Sequence, residues 1–224
     1  MAHSYMPISL TMNQRKCLVV GGGTVAVRKV DTLLDYDAVV TVIAPTIDEK
    51  LRFHAEHNRI TVEERPYQKG DVADFGLVIA ASDDNTVNHQ VFEDCRAAGV
   101  LVNVVDDPPH CDFIFPAVVR RECLTVAIST DGHAPFMAGH LKVILDGVFP
   151  SHWNELMRHA AEFRRMVQKR WAGNYARKQE CYARFVGMDW KTLLKDRSPN
   201  HVEQALDDIL EGREQAGGES ETTE

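Results

Sequence analysis

The chain has 224 residues, of which 44% are hydrophobic and 26% charged, with a formal net charge of −8. That composition suits one good core plus a smaller second unit, excludes a largely disordered chain, and argues against non-specific nucleic-acid binding. No apolar run approaches the ~20 residues of a membrane span, and residues 1–16 lack the apolar stretch and small-residue cleavage site of a signal peptide.

In chain order, 17–20 is a short apolar run that ends in glycines. Residues 25–34 read as a helix, with Val27, Val30, Leu33 and Leu34 on one face. A second β-branched run covers 38–43, and Thr46 followed by Glu49 is a capping-box signature for the next helix. Strands are expected at 60–63 and Leu77–Ala80. Asp84 or Asn85 caps a helix running to about Ala98, and a fifth strand follows at 101–105. Apolar strands separated by amphipathic helices predict a parallel sheet covered on both faces. Past Pro116 the pattern changes. Segments 117–119 and 124–129 flank Arg120-Arg121-Glu122 like an antiparallel hairpin, and a helix opens at Pro135, a favourable first-turn residue, and runs to Val148. From His152 onward the reading is all-helical, with breaks at Gly173, Gly187 and Ser198-Pro199. The tail from Gly212 reads as disordered.

The five cysteines (Cys17, Cys95, Cys111, Cys123, Cys181) are scattered and form no CxxC pair. That argues against a disulfide framework or thiolate zinc site and for a reducing, cytoplasmic setting.

Gly21-Gly22-Gly23-Thr24-Val25-Ala26 fits G-x-G-x-x-A between a strand and a helix, the context a dinucleotide fingerprint requires. Gly21 permits the tight turn, Gly23 leaves room for a pyrophosphate, and Ala26 lets the helix pack on the sheet. The first N–H groups of the helix then face the phosphates. A ribose-binding acid is expected about 20 residues on, but the second strand ends in Ala44-Pro45. Backbone groups there are the candidate nucleotide contacts, and NAD is not separated from NADP. Two polar strand ends lie at the same edge. Ala81-Ser82-Asp83 follows the fourth strand, where small residues let a ring lie flat or simply cap the next helix. Asn103 and Val104 lead into Asp106-Asp107-Pro108-Pro109, a rigid acidic corner. A carboxylate there accepts a proton from a substrate, or else bonds local amides in a turn; adjacent carboxylates also raise one another's pKa.

Together these segments resemble the precorrin-2 dehydrogenase family, which includes the N-terminal modules of siroheme synthases. The resemblance is carried by Val19 through Lys29, by Ser82-Asp83-Asp84-Asn85-Thr86-Val87-Asn88, by Asn103-Val104-Val105-Asp106, by Phe113-Ile114-Phe115-Pro116, and by Ile128-Ser129-Thr130-Asp131-Gly132-His133-Ala134-Pro135. It implies an α/β, Rossmann-like doubly wound parallel sheet followed by a small dimerisation segment and a C-terminal helical domain. The expected divisions are 1–115, 116–150, 151–212 and an acidic tail at 213–224. It implies NAD as cofactor, precorrin-2 as substrate and sirohydrochlorin as product. A homodimer then places the substrate in a cleft between subunits, with no membrane or nucleic-acid partner. Asp106 matches the general base, and Thr130 matches a position where some relatives carry Ser near the tetrapyrrole. Thr130, Asp131, Gly132 and His133 are accordingly the candidate substrate contacts, and Arg120 is a further candidate by its charge, facing either the substrate or the partner subunit.

Between His152 and Gly187 stand eight Arg or Lys against three Glu, a basic stretch suited to a polycarboxylate ring or to an ordinary solvated helix face. No histidine makes an HxH or HExxH pattern. His54 and His57 sit on an expected surface helix without a metal, and His110, His133 and His140 are the weak metal candidates. Two further readings stand beside the dehydrogenase: the same enzyme also inserting ferrous iron, and a non-catalytic nucleotide-sensing module.

Overall fold

The computed structural model describes residues 5–195 and 199–213. Ser198 and nearly all of the acidic tail fall outside the described residues. The chain divides into two compact units. The first is Met1–Phe115 together with Thr130–Ala134, and the second is Pro116–Ser129 together with Pro135–Glu224.

The first unit is a five-stranded, all-parallel sheet. Its strands are β1 (Lys16–Val20), β2 (Val39–Ile43), β3 (Thr61–Glu63), β4 (Leu77–Ala80) and β5 (Leu101–Val104), in the order β3-β2-β1-β4-β5. Register is continuous through the middle: Val19 lies beside Val42 on one side and Ile79 on the other. Residues Cys17 through Val20 and Leu77 through Ala80 are all buried. This is the signature of central parallel strands covered on both faces, and it explains their unbroken apolar runs. The order reverses direction at β1 and β4, which makes their carboxyl ends a topological switch point.

Three helices cover this sheet: α1 (Thr24–Leu34), α2 (Glu49–Glu56) and α3 (Asn85–Ala98). Ala26, Val27, Val30 and Leu33 form the buried face of α1. The N-cap of α2 is Asp48, whose carboxylate accepts from the Lys50 amide at 2.9 Å. Thr46 is therefore not the cap: it belongs to the preceding turn, where its carbonyl packs on the glycine loop. The α2 helix is also less exposed than its sequence suggests. His54 is buried, with Nε2 2.9 Å from Asp31 Oδ1 and Nδ1 3.2 Å from an Arg59 guanidinium nitrogen. Its burial is satisfied by a hydrogen-bond network that joins α1 to α2.

The crossover from β3 to β4 has no helix. A loop does the work, and Arg65 orders it. The Arg65 guanidinium donates to both Asp71 carboxylate oxygens at 2.7 and 3.0 Å and to Glu63 at 2.8 Å. The Tyr67 hydroxyl donates to Asp94 of α3 at 2.7 Å, which fastens the same loop across the sheet.

The second unit begins with an antiparallel hairpin, β6 (Ala117–Arg121) and β7 (Leu124–Ile128). Arg120 and Arg121 lie inside β6 and not in its turn, which is made by Glu122, at φ +49°, and Cys123. Then follow α4 (Pro135–Val148), α5 (Trp153–Arg170), α6 (Tyr175–Val186), α7 (Trp190–Lys195) and α8 (Pro199–Glu211). Leu156, Phe163, Val167, Phe185, Val202, Leu206 and Ile209 pack into its core. Phe163 stacks on Phe185 at 5.0 Å between centroids, and Gly187 and Gly173 stand at the helix breaks. No described helix is long and apolar enough to cross a membrane. All five cysteines are free thiols; burial pushes Cys17 up to about 11 and Cys95 up to about 12.

Phe163 is 1% exposed. Replacing it with Ala empties the centre of the helical unit and is expected to cost about 3–5 kcal/mol, read by urea unfolding with tryptophan emission. A loss under about 1 kcal/mol would show that this core collapses freely around the gap.

Candidate functional site

The glycine turn between β1 and α1 is built by close backbone contacts. Gly21 has φ +127°, and a Cβ there would lie 2.2 Å from the Ala81 carbonyl oxygen. A Cβ on Gly22 would lie 2.0 Å from the Thr46 carbonyl oxygen. Neither position tolerates a side chain without moving the backbone that follows β4 or β2. The Gly21 amide donates to Ile43 O at 3.0 Å, and Gly22 O accepts from the Asp48 amide at 2.8 Å. Gly23 differs. It is the N-cap of α1 in an extended conformation, and a Cβ there would meet nothing within 4 Å. No side chain caps α1, so its first N–H groups lack the usual oxygen partner. Open space in front of an uncapped helix start is what a dinucleotide pyrophosphate requires.

Thr24 is exposed and Val25 half-buried, while Ala26 is buried against the sheet. Ala44 is buried beside Gly22, and its amide donates to Glu63 O at 3.3 Å; Pro45 is exposed. No acid ends β2, and the Asp48 carboxylate is committed to capping α2.

The turn after β4 is held from inside. Asn88, buried on α3, accepts from the Ser82 amide at 3.1 Å and donates to the Ser82 carbonyl at 2.8 Å. The Ser82 hydroxyl accepts from the Asp84 amide at 3.1 Å, and the Asp84 carboxylate accepts from the Thr86 amide at 2.8 Å. Half-buried Ala81 and Ser82 and exposed Asp83 thus sit on a rigid corner opposite the glycine turn. Capping and site formation are one construction here.

After β5 the backbone turns sharply. Asp106 adopts φ +59°, a left-handed conformation that disfavours an ordinary side chain. Asp106 is exposed and lines a cavity of about 540 Å³ together with Asn85, His89, Phe92, Val105 and His110. Its neighbour Asp107 is turned aside, with Oδ2 2.7 Å from His110 Nδ1. Asn103 is buried; its amide donates to Phe113 O at 2.9 Å and lies 3.4 Å from Cys111 Sγ. The Asn103 side chain is thus tied to the 111–113 segment, and Val104 is buried.

One cation near this corner escaped the sequence reading. Lys29, half-buried on α1, sets its ammonium 3.9 Å from the centroid of the Phe115 ring. Burial lowers its pKa, helped by Arg28 and opposed by Asp106 and Cys111. Its helical position gave no signal; only the fold brings α1 beneath the segment after β5.

Thr130, Asp131, Gly132 and His133 belong to the first unit, in a turn with two successive left-handed residues, Asp131 at φ +49° and Gly132 at φ +79°. The Thr130 hydroxyl accepts from the Ala134 amide at 3.2 Å, and Thr130 O accepts from the His133 amide at 2.9 Å. Arg120 on β6 and His140 on α4 lie in the second unit. Among the described residues, no group of three or more His, Cys, Asp or Glu could hold a metal ion.

Gly21 and Gly23 are separable by experiment. Gly23→Val is expected to weaken NAD binding by about tenfold or more while leaving urea stability within about 1 kcal/mol, because its side chain enters open space. Gly21→Ala is expected to lower stability by about 2 kcal/mol or more through backbone strain. Calorimetric titration with NAD and urea melts read both. Unchanged NAD affinity in Gly23→Val would mean that the pyrophosphate lies elsewhere.

Residues 8–117 match a protein family described as "Putative NAD(P)-binding". The chain is 38% identical over 216 residues to a siroheme synthase of Nitrosococcus oceani, covering 93% of this chain and 44% of the relative. It is 42% identical over 165 residues to a siroheme synthase of Methylococcus capsulatus, covering 74% of this chain and 35% of that one. The chain therefore spans less than half the length of these curated relatives. Its fold is that of a solved structure named SirC, precorrin-2 dehydrogenase, with a TM-score of 0.74, 24% identity, and coverage of 92% of this chain and 100% of that one. Similarity to siroheme synthases runs along nearly the whole chain, and residues 8–117 carry the match to the putative NAD(P)-binding family: the chain is related to siroheme synthases over less than half of their length.

Proposed function

We propose that this protein oxidises precorrin-2 to sirohydrochlorin with NAD as the oxidant, a step of siroheme biosynthesis. The carrying observation is that one sheet edge holds both parts the reaction needs. An open, uncapped glycine turn stands at β1, and a cavity edged by the Asp106 carboxylate stands at β5. In doubly wound sheets ligands bind outside these strand ends, at the switch point. The relatives named siroheme synthase support the same reading.

The residues fit a dinucleotide. The turn from Gly21 to Ala26 offers its open Gly23 and the first amides of α1 to the pyrophosphate, the Ala44-Pro45 turn faces the adenosine half by backbone groups, and Ala81, Ser82 and Asp83 border the nicotinamide half. Asn103 and Val104 support that floor from beneath. When bound, NAD supplies the acceptor for a hydrogen that leaves carbon with its electron pair. The chain supplies the rest. Asp106, forced outward by its left-handed backbone, presents a carboxylate to the cationic ring that develops and engages the departing proton. Thr130 through His133 offer a hydroxyl, an imidazole and a tight turn from the same unit for the tetrapyrrole.

The active species is a homodimer in this proposal. Helix α4 leaves Phe136, Val143, Ile144 and Val148 exposed and buries only Ala138, a face too apolar for water alone to cover. A second copy of the chain is its occupant, checked by sedimentation equilibrium.

The test is an anaerobic absorbance time course with precorrin-2, with and without NAD. The sirohydrochlorin spectrum is expected to appear only with NAD. Ferrous iron added to the same cuvette then tests metal insertion above the spontaneous rate. Asp106→Asn is expected to retain NAD affinity and lose turnover by about a hundredfold or more. Near-wild-type turnover in that variant would remove Asp106 from the proton path, and a wild-type protein that binds NAD yet leaves precorrin-2 unchanged would overturn the dehydrogenase.

A further inference from the structure

The cavity beside Asp106 holds a second acid–base group that the family resemblance does not assign. His110 closes a one-turn helix, 108–110, started by the Pro108-Pro109 pair. Its amide donates to Asp107 O at 3.0 Å, and its Nδ1 stands 2.7 Å from Asp107 Oδ2. The ring is wedged from both sides. Its centroid lies 4.4 Å from that of Phe92, tilted 66°, and 5.7 Å from that of His89, tilted 79°. An imidazole whose Nδ1 is held by a carboxylate carries its proton there, which leaves Nε2 as a bare acceptor. Among the described residues Nε2 has no hydrogen-bond partner, and His110 lines the cavity. The half-exposed ring is reachable from solvent.

His89 lacks this arrangement, since no carboxylate fixes either of its nitrogens among the described residues. Asp106 lacks it too, being exposed and a carboxylate. A carboxylate is a weak proton acceptor at neutral pH, and imidazole is a stronger one. A positioned imidazole beside the carboxylate therefore improves the driving force for proton removal.

We infer that the Asp107–His110 pair is the resting place of the proton released in the oxidation, with Asp106 as the bridge between substrate and imidazole. This rests on the proposed dehydrogenase reaction and deepens it. The balance is complete. A C–H bond of the substrate breaks and its electron pair leaves with the hydrogen to the nicotinamide. A neighbouring N–H or C–H bond breaks, and its electron pair becomes the new double bond. The proton from that second bond passes by way of Asp106, directly or through one water, to His110 Nε2. The resulting imidazolium is held by Asp107 and returns its proton to solvent after turnover.

The decisive variant is His110→Ala, which opens an imidazole-sized gap beside Phe92. Anaerobic stopped-flow absorbance with precorrin-2 and NAD is expected to show kcat lowered on the order of a hundredfold, with KM and NAD affinity little changed. Added imidazole is expected to restore the rate and to saturate as it fills the gap. His110→Gln keeps the bulk and the link to Asp107 but cannot take a proton, and is expected to be equally slow and deaf to added imidazole. Turnover of His110→Ala within about twofold of wild type would overturn the inference, as would a slow variant that binds NAD normally and is not rescued by imidazole. Both results leave the dehydrogenase reading standing. A wild-type protein inert toward precorrin-2 overturns that reading and this one with it.

Discussion

Two backbone contacts organise this molecule: Gly21 against the carbonyl of Ala81, and Gly22 against the carbonyl of Thr46. Each is closer than any side chain allows. Together they pin the start of α1 between the ends of β2 and β4, so that three chain segments converge on one small volume. The pull comes from the apolar interior of β1 and β4, buried throughout. Burial at about 25 cal/mol per Å² of apolar surface holds the strands together, and the glycines let their ends touch. Asn88 then clamps the β4 turn and Asn103 clamps the segment after β5. Asp106 and the cavity around it are the outcome of that construction.

Much of the fold was legible because parallel strands with two covered faces are apolar throughout and set apart by helical periodicity. The ranges Leu77–Ala80 and Pro135–Val148 needed no adjustment. What was misread turned on a choice between neighbours. Thr46 and Asp48 both precede α2, and either hydroxyl or carboxylate is a sound cap; the packing of Thr46 O on Gly22 decides for Asp48. His54 looked like a surface residue because its partner Asp31 lies a helix away in sequence. Arg120 and Arg121 looked like turn residues because strands seldom carry adjacent arginines, yet Arg121 reaches Asp146 on α4 at 2.8 Å.

The site was legible in its local motifs and opaque in its long-range chemistry. Three consecutive glycines and a pair of aspartates before two prolines announce themselves. Nothing in the sequence separates the duties of Asp106 and Asp107, because they differ only in backbone conformation: φ +59° sends one outward, and the next folds back to His110. Lys29 against Phe115 joins residues far apart along the chain, a contact that only the folded sheet creates.

The first unit is not continuous in the chain. It runs to Phe115, departs through the hairpin 116–129, and takes back Thr130–Ala134 before α4 leads away for good. During synthesis the nascent chain therefore cannot finish this unit when its last strand emerges. Completion waits until Ala134 has been added, after the intervening segment 116–129. A fragment cut after Phe115 would hold all five strands and still lack a turn of its own surface, so the chemically sensible boundary for dissecting the protein lies nineteen residues beyond the apparent one, from 115 to 134.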